Sequence, residues 1–425
     1  LKVNKLRDTA GSADAITLDP NGGAVLAGVT TVSTVKVGSG VTISSDGDVF
    51  TTGITTSSTV IVGSGVTITE SGIEATGVGI TVANINGGAI GGRRNILLNG
   101  DMRIAQRGTS STSVGYQTCD RWYFAYGGED EAPTQAQVDV SSGTSPYAEG
   151  FRKAYKITNG NQTSTGVTDY IAFLTSLEAQ DLANSGWNYT SPSSHITLSF
   201  WAKSSVAKTF TVQLYTVDGT SQAYNHKYVL AANTWTKVIH TFPGYANVQF
   251  DNDANKGIEI QWNMYSGTNY TSGSTVDQWL AYSGSTSTPD DTDDWWTTND
   301  ATFEITGVQL EVGAQATPFE HRSFGEEELL CHRYFFSGIA NRFWYNGHGG
   351  NVTDYQLISF KTEMRAAPTI AFGTIHTSTN VNTGSGSDSG HFYSDVKASS
   401  WQYSPLSAAT GNTTGKVDYT ASAEL

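Results

Sequence analysis

The chain is 425 residues long and carries a formal net charge of −15 at pH 7, with only 15% charged residues beside 46 glycines and 11% aromatics. An acidic balance without basic clusters argues against nucleic acid as a partner, because phosphate binding needs gathered Lys and Arg. Polarity carried by Ser, Thr, Asn and Gln rather than by charge suits an extracellular, helix-poor protein of two or three domains.

In chain order, residues 1–29 read as an attachment segment and residues 30–94 as a repeat. Val-Gly-Ser-Gly-Val-Thr-Ile occupies Val37 to Ile43 and returns unchanged at Val62 to Ile68, a period of 25 residues, with Gly47 answered by Gly72. A fixed period of this size marks a stacked, quasi-linear architecture. From Leu1 to Arg94 the only aromatic residue is Phe50, and short Val and Ile runs between Gly turns predict short strands. Strands so poor in apolar area cannot offset an ordering cost of roughly 1–2 kcal/mol per residue. Two further copies around a common axis would supply the missing core and cover the sheet edges, so a repeat-built trimeric β shaft is expected.

All ten Trp lie at or after Trp122, which puts the packed core downstream. Residues 95–322 read as one large β-domain with alternating strands at Ala154 to Ile157, Ile196 to Ala202, Thr209 to Tyr215, Trp235 to Thr241, Gly257 to Tyr265 and Thr302 to Val312. In the second of these, Ile196, Leu198 and Phe200 share the apolar face and Trp201 takes the other. A helix is predicted over Thr175 to Leu182 from its apolar spacing and N-cap. Many short strands with one brief helix predict a central jelly-roll sandwich whose last strand, Gly307 to Gly313, pairs inside a sheet near the domain start. A small C-terminal β domain follows over residues 323–425, making the fold class all-β. Cys119 and Cys331 are too few for a disulfide framework and read as free core thiols. No apolar stretch nears the roughly 20 residues of a membrane span, and no signal peptide is expected at the start, where Leu1 stands without Met.

Several segments resemble a known family. Asn95-Ile-Leu-Leu-Asn-Gly-Asp-Met, Leu198-Ser-Phe-Trp-Ala-Lys-Ser and Ile305-Thr-Gly-Val-Gln-Leu-Glu-Val-Gly-Ala-Gln-Ala-Thr-Pro-Phe-Glu are similar to tail fibre proteins of bacteriophages. So are Glu327-Glu-Leu-Leu-Cys-His-Arg-Tyr-Phe, Met364-Arg-Ala-Ala-Pro-Thr and the closing Tyr419-Thr-Ala-Ser-Ala-Glu-Leu, while the shaft resembles in style the fibres of marine cyanobacterial phages. The resemblance implies a carbohydrate-binding-module-like jelly roll in a homotrimeric virion fibre, extracellular when functional and without a cofactor. It also implies an N-terminus docked on other tail or baseplate proteins and distal domains that recognise a host-surface glycan. The family's sugar-contacting residues vary too much to be carried over. The alternatives are a polysaccharide-depolymerising tailspike, which would need a long β-helix bearing carboxylates, and a bacterial surface adhesin.

Enzyme motifs are absent: there is no Gly-x-Ser-x-Gly elbow and no His-Glu-x-x-His. Gly411-Asn-Thr-Thr-Gly-Lys-Val is one spacer short of a P-loop and reads as a turn. The acidic runs Glu129 to Glu131 and Asp290 to Asp294 fit solvated loops better than the paired carboxylates of a glycosidase. Asp251 to Gly257 has oxygen donors at alternate positions, but its glycine falls late and Trp262 stands where a calcium loop needs Glu, so a turn is expected. The eight His show no ligand spacing, and no metal site is expected. Glycan binding needs flat aromatic faces with amides and carboxylates nearby. The candidates are Trp295 and Trp296, and, in the last hundred residues, Trp344, Tyr345, His348, Trp401 and Tyr403.

Overall fold

The structure, a computed structural model, describes residues 93–346, 354–379, 391–403 and 411–425, together with strand segments 5–7, 14–18, 24–26, 59–62, 66–69 and 72–75. The chain divides into two compact units, Leu1–Thr81 and Val82–Leu425. In the first, β1 (Lys5–Arg7), β2 (Asp14–Leu18) and β3 (Ala24–Leu26) form one antiparallel sheet, so residues 1–29 contain three strands. A second sheet comprises β4 (Thr59–Val62), β5 (Val66–Thr69) and β6 (Gly72–Ala75). The second copy of the repeat spans the end of β4, the turn and most of β5, with Val62 opposite Val66, and Ile68 pairs with Val60 just before it. Its first copy, Val37 to Ile43, lies outside the described residues.

The second unit opens with β7 (Ser110–Ser111), β8 (Tyr123–Gly127), β9 (Thr134–Asp139), α1 (Ser145–Ala148), β10 (Lys153–Thr158), β11 (Tyr170–Glu178) and α2 (Ala179–Ala183). It continues through β12 (His195–Ser204), β13 (Lys208–Thr216), β14 (Gln222–Leu230), β15 (Thr236–Pro243), β16 (Lys256–Ser266), β17 (Trp279–Ala281) and β18 (Thr302–Val312). These strands build two six-stranded antiparallel sheets: sheet I in the order β15-β12-β18-β10-β9-β7, and sheet II in the order β17-β14-β13-β16-β11-β8. Alternation decides which side chains enter the space between them. Ile196, Leu198 and Phe200 of β12 meet Phe210, Val212 and Leu214 of β13 and Ile258, Ile260, Trp262 and Met264 of β16 in one core. Trp262 stacks on Phe173 with ring centroids 5.3 Å apart. Trp201 points the other way, into a smaller cluster with Val140, Phe151 and Ala154 on the outside of sheet I.

All six predicted strands are present, and β18 sits inside sheet I between β12 and β10. Beside it runs the domain start: the Ile96 amide donates to the Leu310 carbonyl and the Val308 amide to that of Gly100, both at 2.9 Å. The expected helix over Thr175 to Leu182 is corrected. Thr175 and Leu177 continue β11, opposite Ile260 and Ile258 of β16, and only Ala179–Ala183 is helical. Cross-strand pairing outweighs a helical spacing that a two-residue period also satisfies.

The C-terminal part comprises α3 (Phe324–Cys331), β19 (Phe335–Asn346), β20 (Asp354–Ser359), β21 (Thr369–Thr379), β22 (His391–Ser394), β23 (Ala398–Tyr403) and β24 (Gly411–Ser422). Ser323 caps α3 by accepting from the Glu326 amide. Two three-stranded sheets, β19-β24-β21 and β20-β23-β22, bear a core of Phe336, Ile358, Met364, Ile370 and Tyr419. The segment from Gly411, expected as a turn, is the start of β24. This part packs directly on the sandwich. Arg333 donates to both oxygens of buried Glu178 at 2.7 and 2.8 Å, and the Tyr334 hydroxyl donates to the same carboxylate at 2.6 Å. Arg107 and Arg121 pair with Glu424, and the Arg121 guanidinium lies 3.5 Å from the centre of the Tyr334 ring. Both cysteines are buried and free.

Candidate functional site

Trp295 and Trp296 do not serve as stacking platforms. Both are fully buried, the Trp295 indole donating to the Thr302 carbonyl and the Trp296 indole to that of Ser164. The Asn159 amide donates to the carbonyls of both tryptophans, so this corner is sealed core, and neither ring has a face to offer a sugar. Trp344 and Tyr345 fall on β19, and Trp401 and Tyr403 on β23, in different sheets; their side chains, and all of His348, lie outside the described residues.

The acidic runs are tethers. Asp291 receives Lys208, whose ammonium, 3.0 Å away, also donates to the carbonyls of Met264 and Thr292. Asp130 accepts from the amide and hydroxyl of Thr163, and Glu131 from the Asn161 amide, which fastens the loop between β10 and β11. Asp251 to Asn255 form the expected turn, with Asp253 accepting from the Asn255 amide.

A different surface gathers the chemistry of sugar recognition. On sheet II the residues that alternate away from the core bring half-buried Tyr123, Leu174 and Gln261 into one row across β8, β11 and β16. At a strand spacing of about 4.8 Å this row spans about 10 Å. In the neighbouring row Tyr215 of β13 stands opposite Glu259 of β16. Tyr282, just after β17, packs on Tyr215 with ring centroids 4.2 Å apart, and Tyr116 meets Tyr123 edge-on at 5.1 Å. Lys256 holds Glu259 at 2.6 Å, and Gln261 donates to Asn263, which fixes its amide.

Cover at both margins confines the accessible strip. Towards β14, Gln213 and Asn225 are buried under the loop before β18, donating to the Ser287 carbonyl. Towards β8, the Tyr116 hydroxyl donates to Leu425 and Arg121 donates to the Ser176 carbonyl. The strip therefore presents tyrosine edges, one amide and one carboxylate, a set that can stack on C–H surfaces and bond hydroxyls. Burial alone would raise the Glu178 carboxyl beside it, but hydrogen bonds from Arg333, Tyr334 and Gln180 outweigh burial and hold it below its ordinary value. An ionised, fully engaged Glu178 does not suit a general acid. None of these strip residues was singled out from the sequence: Tyr123, Leu174, Tyr215, Glu259 and Gln261 lie in four strands, and only sheet order brings them together.

Sequence reading also missed His226, His240 and Asp277, which meet between β14, β15 and the segment before β17, each offering one ligand atom within 4.8 Å of the others. Burial first, and His226 next, push the His240 imidazole down to about 4.

No protein-family model and no curated protein matches this sequence. Among solved structures, the chain is similar to the enzymatically active domain of tailspike protein 4 of bacteriophage CBA120, at 13% identity and a TM-score of 0.29, over 51% of this chain and 21% of that one. It is also similar to the family 11 carbohydrate-binding module of Clostridium thermocellum, solved in complex with a β-1,3-1,4-mixed-linked tetrasaccharide (12% identity, TM-score 0.24, 46% of this chain and 91% of that one). The third is the N-terminal cellulose-binding domain of Cellulomonas fimi β-1,4-glucanase C (12% identity, TM-score 0.25, 50% of this chain and all of that one).

Proposed function

We propose that this protein is a non-enzymatic virion tail fibre that attaches to a host-surface glycan, and that the outer face of sheet II is its sugar-binding strip. The strip itself carries the reading: half-exposed Tyr123, Tyr215 and Tyr282 flank Gln261 and Glu259 on a rigid sheet, between margins closed by a loop and by the chain end. Aromatic surface with a few fixed polar groups is what saccharide recognition requires. The fibre role is supported by the 25-residue repeat, which calls for a trimer, and by the resemblance of the flanking motifs. Trimerisation presents three weak sites together and raises attachment by about 10² to 10⁴ through avidity. In the same reading the first unit docks the fibre on other tail or baseplate proteins.

A second position for the receptor site is the set Trp344, Tyr345, His348, Trp401 and Tyr403, which belongs to the domain after the sandwich. Two variants separate the positions: Tyr215→Ala with Gln261→Ala on the strip, and the fivefold Ala replacement in the C-terminal domain. The readout is glycan-array binding, followed by adsorption of particles to host cells. Loss of about 1.4 kcal/mol, tenfold in affinity, is expected from the strip variant. Unchanged binding there with loss in the fivefold variant moves the site, and unchanged binding in both removes host recognition from this chain.

A further inference from the structure

We propose that His226, His240 and Asp277 form a binding site for a divalent transition-metal ion, zinc being the best match, that clamps the open edge of the sandwich.

The fold places the three residues at an edge where the two sheets are joined by side-chain packing and by the Trp279 indole, which donates to the Pro243 carbonyl at 2.7 Å. His226 lies on the same face of β14 of sheet II as the buried Tyr224 and Tyr228, and His240 on the same face of β15, the edge strand of sheet I, as Val238 and Phe242. Both rings therefore enter the gap between sheets, face to face with centroids 3.6 Å apart. Asp277 closes the triangle from the segment leading into β17. Its backbone is left-handed, with φ of 58°, and its amide donates to the Asn225 carbonyl at 2.8 Å. One carboxylate oxygen lies 2.7 Å from His226 Nδ1 and 3.6 Å from His240 Nε2.

A second observation points to a ligand. His240 Nε2 is shut off from solvent and has no hydrogen-bond partner among the described residues, although it lies 3.6 Å from the Asp277 carboxylate. An orphaned polar atom in such a place needs an explanation. The donor chemistry selects the ion. Two imidazole nitrogens and one carboxylate oxygen suit zinc and its first-row neighbours, whereas calcium and magnesium take oxygen donors. Donors about 2.0–2.1 Å from a tetrahedral zinc lie roughly 3.3 Å from one another, close to the 3.6 Å between Asp277 and His240, while the 2.7 Å between Asp277 and His226 is a hydrogen bond that the ion would replace. Half-exposed Asp277 leaves the fourth position to water. Face-to-face rings cannot both aim a lone pair at one ion, so binding turns one imidazole out of the stack. The clamp would join β14, β15 and the segment that leads through β17 to Tyr282.

The test uses the full, untagged chain, stripped with EDTA and titrated with zinc chloride by calorimetry. One equivalent per chain at micromolar affinity, with a rise in Tm, is expected. Asp277→Asn, which keeps a residue tolerant of positive φ, and His240→Gln should each weaken zinc at least tenfold, while His376→Gln should leave it unchanged. Cobalt in place of zinc should give the intense visible bands of a four-coordinate ion. The assignment is overturned if the wild-type chain binds no zinc at these concentrations, if Asp277→Asn binds it as the wild type does, or if His376→Gln abolishes it. Asp277→Asn decides the matter should His240→Gln fail to fold.

Discussion

Lys208 and Asp291 show how a charge pair can be structural without being strongly stabilising. The Lys208 side chain is 1% exposed, and burial pushes its pKa down, with Asp291 opposing. Burial likewise pushes the Asp291 carboxyl up to about 6, with Lys208 opposing. Both shifts disfavour charge, so desolvation exceeds attraction on both partners. Lys208→Met should cost about 3–5 kcal/mol because it strands a buried carboxylate. Lys208→Met with Asp291→Asn should recover most of that loss in denaturant titrations. The pH dependence follows in sign. A folded pKa above the unfolded one means that the native chain binds the Asp291 proton more tightly, so this contribution is present below about pH 4 and lost as pH rises through 6. Between those values the wild type should lose stability relative to the double variant, and an equal slope in both would refute the assignment.

Within β18, one glycine organises the closure of the sandwich. Ser199 faces Gln309 and Trp201 faces Thr306, so Phe200 stands opposite two residues, Gly307 and Val308: a β-bulge. Gly307 has φ of +64°, and a Cβ there would lie 2.6 Å from the Phe151 ring. The bulge also frees Val308 from the ladder, so that its amide donates to Gly100 and its carbonyl accepts from Asn95, docking the start of the domain. Gly307→Ala should therefore cost about 2 kcal/mol or more through left-handed strain and the displaced ring. A lowered urea midpoint at unchanged slope would report it, and a wild-type midpoint would sink the argument.

For the whole molecule the central expectation is the trimer. Within the first unit β4, β5 and β6 pair through Val60, Ile61, Val66 and Ile68, four-residue strands of the kind that seldom stand alone in water. Mass measurement in native buffer should give three chains, and removal of residues 1–94 should leave a folded monomer of the remaining unit. A monomeric full-length chain with protected amides in the repeat would overturn the shaft. The contacts of Glu178, Arg333, Tyr334, Arg121 and Glu424 predict that the sandwich and the C-terminal part unfold in one transition rather than two, checked by calorimetry.

Sequence alone determined what depends on local periodicity. Two-residue alternation in Ile196 to Trp201 and Thr302 to Val312 specified strands and their buried faces, the apolar content of Ile305, Val308, Leu310 and Val312 marked the closing strand, and two isolated cysteines implied free thiols. These are properties of neighbours along the chain, and the period of the strand carries them. Tertiary structure decided whatever depends on which strands are neighbours in space. Trp295 and Trp296 are aromatic residues next to an acidic run, and only the packing of Asn159 and Ser164 around them shows that they are core. Tyr123, Gln261 and Tyr215 become one strip, and His226, His240 and Asp277 one cluster, through a strand order in which sequence separation sets neither distance nor face. Register across six strands is a global property of the two hydrophobic faces closing on each other, and no local run of residues contains it.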